Sequence, residues 1–393
     1  MFKSEISSRF QKIAIFSVFF ITYLLFYVSN SKLNWPILRL GDAWFDKSYD
    51  DADQILRSLD CYAATGRNIY EESSCSFYIY GISLLEFLKF FGVTSTAAIG
   101  NLFFIFHIST YACFSFLIYD KYGLRSCLIS VLICTSPPSH YLIERGNFDT
   151  MVIFLLLLST YLFYKKNYFL SSIFLSFASL IKFYSLPLFF VYLFLLFMKK
   201  DTFLKYNLLF FTCTFVLVLR DILALPVNLS TSFGGYGGTF GMRIFLVYAI
   251  EFSSIFKSDF LALIYLLFFL LLFLLLFTRY SLRKPFQDAN YSLTTLITII
   301  FGFQFIISFV SGLNNDYRLV FLSIFLLSLQ LELPRPGARN FYILFFGISS
   351  LWLSYPAWIF QVVGDVFLAI SLFLIFDLLL SLFFTKKVKR IND

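Results

Sequence analysis

The chain is poor in charge. Charged residues make up 14% of its 393 positions, where a soluble domain carries roughly 25%. Hydrophobic residues reach 59%, aromatics 22%, and mean hydropathy is +0.81. There is too little polar surface to cover a water-soluble globule, so the composition predicts an integral membrane protein. The sequence also lacks a long basic stripe. Its net charge of +8 comes from short Lys/Arg clusters between apolar stretches. Such clusters set membrane topology rather than track phosphates, which argues against nucleic-acid binding. No small-residue cleavage site follows the first apolar segment, so that segment reads as an uncleaved helix and not as a signal peptide. The two histidines show no metal-ligand spacing. Matching halves and short repeats are absent too, which disfavours a transporter built from repeated units.

What the chain does have is apolar runs. A spanning helix needs about 20 apolar residues, fewer where flanking residues snorkel, and about twelve stretches qualify. They lie near 13–29, 95–119, 124–137, 149–164, 168–182, 186–198, 203–220, 259–278, 291–310, 317–331, 341–354 and 363–384. The pair around Lys182 and Pro187 also fits one broken hairpin. The predicted fold is therefore an all-α polytopic membrane protein, a single bundle over residues 1–393 with C-terminal helices at 341–384. Placing Lys3, Arg9 and Lys12 in the cytoplasm puts most of the 31 basic residues, including the C-terminal tail, on that side. Most of the 23 acidic residues and all four tryptophans then fall outside. The expectation is a multi-pass protein of the cytoplasmic membrane with both termini cytoplasmic.

The first outer loop, 30–94, is the polar exception. Its Asn30–Tyr80 stretch holds Asp42, Asp46, Asp50, Asp51, Asp53 and Asp60. Further outer segments carry Glu144-Arg-Gly-Asn-Phe-Asp149, Lys182-Phe-Tyr184, Arg220-Asp221, the glycine-rich run 233–241 and Asn314-Asn-Asp-Tyr-Arg318. An ionisable residue at a membrane span is costly and marks a functional site by default. Here such residues gather at one face, the layout of an enzyme acting at the outer surface. A transporter would set them near the midplane. Three outer stretches read as helices that do not span: Ile55–Ala64, with Asp51 as N-cap and Gln54 reaching back, Tyr78–Phe91, and Arg243–Phe256.

At these residues the chain resembles the membrane glycosyltransferases of the GT-C fold, and within them glycosyltransferase family 87. The resemblance covers roughly residues 10 to 330 and rests on three features. The first is Asp51/Asp53, a short helix and Gly66-Arg-Asn-Ile-Tyr70. The second is Glu144-Arg-Gly-Asn-Phe-Asp149 opening a span ahead of Ser179-Leu-Ile-Lys-Phe-Tyr-Ser-Leu-Pro187. The third is Asn315-Asp-Tyr-Arg-Leu-Val-Phe321. The chain departs from the family in two places: its proline is displaced to Pro187, and the usual aspartate spacing falls on Ala52, between Asp51 and Asp53. The resemblance implies a polyprenyl-phosphate-sugar-dependent transferase, typically a mannosyltransferase, acting on an extracytoplasmic glycan or glycolipid. A glycan or lipid transporter, or flippase, is the alternative reading.

The resemblance also implies an aspartate of the first loop as general base. A sugar hydroxyl is a poor nucleophile, and a positioned carboxylate can take its proton as it attacks the anomeric carbon. One base without a covalent intermediate implies inversion. A departing lipid phosphate needs cations. The candidate bases are Asp53 and Asp51. Asp51 has a competing job as helix cap, which favours Asp53. The candidate substrate-binding residues are Arg145, Asn147, Asp149, Lys182, Tyr184, Asp316 and Arg318. Most have a structural alternative: Arg145 can pin a helix start, Asn147 or Asp149 can cap one, and Lys182 can snorkel. Asp316 can merely neutralise Arg318, and Arg220-Asp221 reads as a local pair. The glycine-rich run fits a flexible loop better than a phosphate cradle. No cofactor is predicted, although a carboxylate cluster can hold a divalent metal. Cys61 and Cys75 share the oxidising side, where a disulfide would pin the loop.

Overall fold

The computed structural model describes residues 17, 50–65, 81–198, 203–224, 239–240, 291–310, 314–315, 319–332, 338–353 and 358–384. Each apolar stretch within these residues is helical. A chain in lipid must satisfy its backbone polar groups internally, and a helix does so within one segment. Helix α1 spans Asp50–Thr65 and α2 Ile82–Phe90. Then follow α3 Thr96–Tyr122, α4 Leu124–Cys134, α5 Pro137–Glu144, α6 Asp149–Tyr164, α7 Tyr168–Ile181, α8 Leu188–Met198 and α9 Leu204–Ala224. The later helices are α10 Leu293–Val310, α11 Val320–Glu332, α12 Ala338–Leu353 and α13 Trp358–Phe384. One antiparallel two-residue pairing, β1 (Thr239–Phe240) with β2 (Asn314–Asn315), is the only strand pairing among the described residues. Apart from residue 17, the expected spans at 13–29 and 259–278 and the expected interfacial helix at 243–256 lie outside the described residues.

Thr96–Tyr122, Leu204–Leu223 and Val363–Phe384 are long and apolar enough to cross a membrane by length and composition, and shorter apolar helices pack with them. The apolar helices mark a membrane protein. One stretch differs from its expected form. The 124–137 stretch ends at Cys134, because Pro137 and Pro138 lack the N–H groups to continue it and instead open α5. The 168–182 and 186–198 stretches are two helices, as expected, joined by a 3-10 turn, Phe183–Ser185.

Helix α11 is the centre. Its residues from Val320 to Leu331 are all buried, as a helix apolar on every side requires. Helices α10, α12, α3, α4 and α5 surround it. Helix α6 packs on α7, α10 and α3, while α9 leans on α7 and α8. The outward face of α9 leaves Leu208, Leu209, Val216 and Leu223 exposed.

Contacts between helix termini mark two ends of the bundle. At one end Phe103, near the start of α3, meets Phe148, just before α6, with ring centroids 5.0 Å apart. At the other end Tyr122 closes α3 and donates to the Leu331 carbonyl of α11 at 2.8 Å. The non-spanning helices α1 and α2 sit at the first end. The Asp51 N–H donates to the Arg145 carbonyl at 3.0 Å, and the Ser83 N–H donates to Asp221 Oδ2 at 3.0 Å.

Candidate active site

The Arg145–Asp149 turn is built by backbone chemistry. The Asn147 N–H returns to the Leu142 carbonyl at 3.2 Å and the Gly146 N–H to the Ile143 carbonyl at 2.9 Å. This pair of bonds closes α5 as a Schellman motif, whose penultimate position must be left-handed. Gly146 occupies it with φ 59°, a conformation glycine adopts without a Cβ penalty. Asn147 then starts the next helix. Its Oδ1 accepts from the Asp149 N–H at 2.9 Å. That leaves the amide nitrogen of Asn147 for another task, and it donates to Asp51 Oδ2.

Asp51 is tied down on three sides. Asn147 holds one carboxylate oxygen and the Arg145 guanidinium the other. The backbone bond to the Arg145 carbonyl fixes its main chain. The side chains of Asp51 and Arg145 are 6% and 12% exposed, so the pair is largely withdrawn from water. Asp51 was expected as an N-cap, but α1 already includes Asp50, and both carboxylate oxygens of Asp51 serve the turn above α6. Asp53 lies elsewhere. Its carboxylate pairs with Arg57 at 3.0 Å, one turn along α1, with side chains 32% and 53% exposed. The structure therefore brings Asp51, and not Asp53, to the cluster.

Asp149 opens α6 and is fully buried. The positive end of the helix dipole favours a carboxylate there. Its Oδ1 accepts from the Tyr184 hydroxyl and lies 3.4 Å from Lys182 Nζ. Lys182 ends α7 in extended backbone, with φ −139° and ψ 110°, and is itself buried. The 3-10 turn follows, and Pro187 precedes α8, a position where its missing N–H costs nothing. Lys182 and Tyr184 thus lie on one tight turn ahead of Pro187, closed by the Ser185 N–H on the Lys182 carbonyl at 3.0 Å. Arg145, Asp51, Asn147, Asp149, Lys182 and Tyr184 form one connected network spanning α1, the α5–α6 turn and the α7–α8 turn. Asp316 and Arg318 lie outside the described residues.

A second cluster adjoins the first. Arg220 bonds its neighbour Asp221 through Nε at 3.0 Å and Nη2 at 2.8 Å. It also reaches Ser83 Oγ at 3.0 Å and Glu86 at 3.4 Å, so it does more than form the local pair expected. Gly81 is wedged against both clusters. A Cβ there would stand 2.3 Å from Asp221 Oδ2 and 2.9 Å from the ring of Phe183, the residue between Lys182 and Tyr184.

The β1–β2 pairing joins two outer segments that the sequence keeps apart. Thr239 lies opposite Asn315 and Phe240 opposite Asn314. Two residues of the 233–241 stretch, Thr239 and Phe240, are thus paired with Asn315 and Asn314. Cys61 is disulfide-bonded, and Cys75 lies outside the described residues. Among the described residues, no group of three or more His, Cys, Asp or Glu is placed to hold a metal ion.

Sequence reasoning followed charge and so passed over neutral polar residues near the cluster. Thr150, Ser185 and Gln304 are all buried. Gln304 had a visible signal, being the one amide side chain in the apolar run of α10.

No protein-family model, curated protein or solved structure matches the chain.

Proposed function

We propose that the chain is a glycosyltransferase. It moves a sugar, mannose or a related one, from a polyprenyl-phosphate donor to a glycan or glycolipid acceptor outside the cytoplasmic membrane, with the bundle crossing the bilayer about twelve times. One observation carries the reading. An aspartate on a short helix pairs directly with a partly buried arginine, and is joined through Asn147 and Asp149 to a buried lysine at a helix end. Acid, base and cation meet at a membrane rim, where a lipid-linked substrate presents its head group. A transporter would concentrate its polar groups near the midplane; here Asp149 begins its helix and Lys182 ends its own.

In this reading Asp51 replaces Asp53 as the favoured base. The acceptor hydroxyl oxygen attacks the anomeric carbon and its proton passes to the Asp51 carboxylate. The bond from that carbon to the phosphate oxygen breaks, and the lipid phosphate leaves with the electron pair. Lys182 and Arg145 receive its charge. The incoming phosphate competes for Arg145, which frees an Asp51 oxygen to accept the proton. A single displacement inverts the anomeric carbon.

The test is transfer from polyprenyl-phosphate mannose in membranes carrying Asp51→Asn or Asp53→Asn. Removing a general base costs about 10²- to 10⁴-fold, the expected loss for Asp51→Asn. Asp53→Asn, on an exposed pair, stays within about twofold. Full transfer by Asp51→Asn overturns the base. Absence of transfer by the unmodified chain, over a panel of polyprenyl-phosphate sugars, overturns the function.

A further inference from the structure

Gln304 on α10 is fully buried. Its amide nitrogen donates to Ser308 Oγ at 3.4 Å, but its carbonyl Oε1 has no hydrogen-bond partner among the described residues. The same is true of Ser185 Oγ, in the turn after Tyr184, and of Thr150 Oγ1, next to Asp149. Both are buried, Ser185 completely and Thr150 at 3% exposure. Polar groups left this way cost free energy, and native interiors keep few of them.

The contacts of α10 show which way Gln304 faces. Thr298 donates to Ser328 of α11 at 3.0 Å, and Phe301 packs on Phe321 of α11. Gly302 lies against Leu379 of α13 and Phe325 of α11, and Phe303 packs on Phe383 of α13. At 3.6 residues per turn, these positions account for the sides toward α11 and α13. Ile297, Ile300, Gln304 and Ser308 share the remaining arc. The other packing partners of α10 include α6, α8 and the 3-10 turn, so that arc faces them. Phe321 fixes the level, because its ring touches Tyr184 at 5.9 Å and Phe301 at 6.4 Å. Gln304 stands one turn from Phe301 toward the end that holds Asp149 and Lys182.

We infer that Gln304, Ser185 and Thr150 form a neutral, hydroxyl-recognising subsite beside the charged cluster, and that it takes the sugar ring of the lipid-linked donor. This rests on the glycosyltransferase reading and deepens it. The chemistry divides cleanly. A phosphate is bound best by cations, which Arg145 and Lys182 supply. A sugar ring offers hydroxyls that both give and take hydrogen bonds. An amide carbonyl accepts from them, and the Ser and Thr hydroxyls do either. Neutral partners cover the ring without drawing the phosphate into its place.

The experiment measures binding of polyprenyl-phosphate mannose and of bare polyprenyl phosphate to the detergent-purified full chain, together with its melting temperature. Gln304→Met keeps the volume and removes the amide. The expected result is a ligand-free melting temperature no lower than that of the unmodified chain. Affinity for the sugar-bearing lipid drops about tenfold, the equivalent of one lost hydrogen bond, while affinity for the bare lipid phosphate is unchanged. Ser185→Ala and Thr150→Val give the same pattern with smaller losses, and serve if Gln304→Met does not fold. Unchanged binding of the sugar-bearing lipid by these variants overturns the subsite. So does a lower melting temperature with both affinities falling together, which marks a structural role. If the unmodified chain binds the two lipids equally, the sugar assignment fails and the phosphate assignment stands. If it binds neither, the donor reading itself fails.

Discussion

The two ends of the bundle handle charge in opposite ways. At the end opposite the site, Glu332 closes α11 half-buried and accepts from Thr294 at 2.6 Å, Thr295 at 2.7 Å and Ser292 at 3.1 Å. Arg339, at the start of α12, pairs with Asp377 at 3.0 Å, both partly exposed. Exposed Lys121 donates to the Leu331 carbonyl at the end of α11. Glu332 meets hydroxyls at the start of α10, Lys121 meets a C-terminal carbonyl of α11, and Arg339 meets a carboxylate partly open to water, so holding these charges costs little. At the site end Asp149 and Lys182 are 0% and 4% exposed, and Asp51 and Arg145 nearly so. A buried ion pair seldom stabilises more than an apolar pair of equal volume. The first end therefore reads as architecture, and the second holds charge at a cost that stability does not explain.

The comparison breaks most sharply at Lys182. Lys182→Met removes the cation 3.4 Å from buried Asp149, and removing one partner of a buried pair costs about 3–5 kcal/mol. Thermal unfolding in detergent should register this as the largest loss of any single change considered. The double variant Asp149→Asn/Lys182→Met removes both charges and keeps an acceptor for the Tyr184 hydroxyl. Its stability should return to within about 1–2 kcal/mol of the unmodified chain, with transfer still abolished. Restored transfer in the double variant would make the pair architectural after all.

The helices were legible because an apolar run in lipid has little choice but to be helical. The cluster was partly legible because charges are scarce, so Arg145, Asp149 and Lys182 stand out at the ends of apolar runs. The choice between Asp51 and Asp53 was a question of helical phase. Ala52, Ile55, Leu56 and Leu59 form the buried stripe of α1. At 3.6 residues per turn, Asp51 borders that stripe next to Ile55, while Asp53 falls on the far side with Arg57. Periodicity within the loop held that answer, and the expected capping role at Asp51 drew attention from it. Gln304, Ser185 and Thr150 were invisible to a search for charge. Gln304 stands out only as the one amide in its apolar run, and Ser185 and Thr150 only by their burial, known from packing. The pairing of Thr239–Phe240 with Asn314–Asn315 joins residues too far apart in sequence for spacing to reveal.

Gly81 tests whether the two clusters at the site end are mechanically joined. Gly81→Ala puts a methyl group where Asp221 and Phe183 already stand. Asp221 caps α2 through the Ser83 N–H, so the carboxylate cannot retreat without uncapping the helix. Phe183 cannot retreat without moving the turn that carries Lys182 and Tyr184. Overpacking of this kind costs about 1–3 kcal/mol, less than the loss of Lys182. Melting temperature should fall, and transfer should fall further than the stability loss alone accounts for. A variant with lower stability but undiminished transfer at a permissive temperature would separate the second cluster from the site.

The smallest effect is expected at the opposite end. Glu332→Gln keeps the shape and one oxygen acceptor but removes the charge shared by Ser292, Thr294 and Thr295. Hydrogen bonds to a neutral amide replace those to a carboxylate, at a net cost of about 1 kcal/mol. Part of that group is open to water, which limits the loss. Transfer should be unaffected, because Glu332 lies at the opposite end of α11 from the Asp51–Lys182 network and its hydroxyl partners are on α10. A paired measurement of melting temperature and transfer rate would expose any coupling. If Glu332→Gln slowed transfer as much as it lowered stability, or more, the two ends would be working together, and the charge at the far end could no longer be counted as architecture.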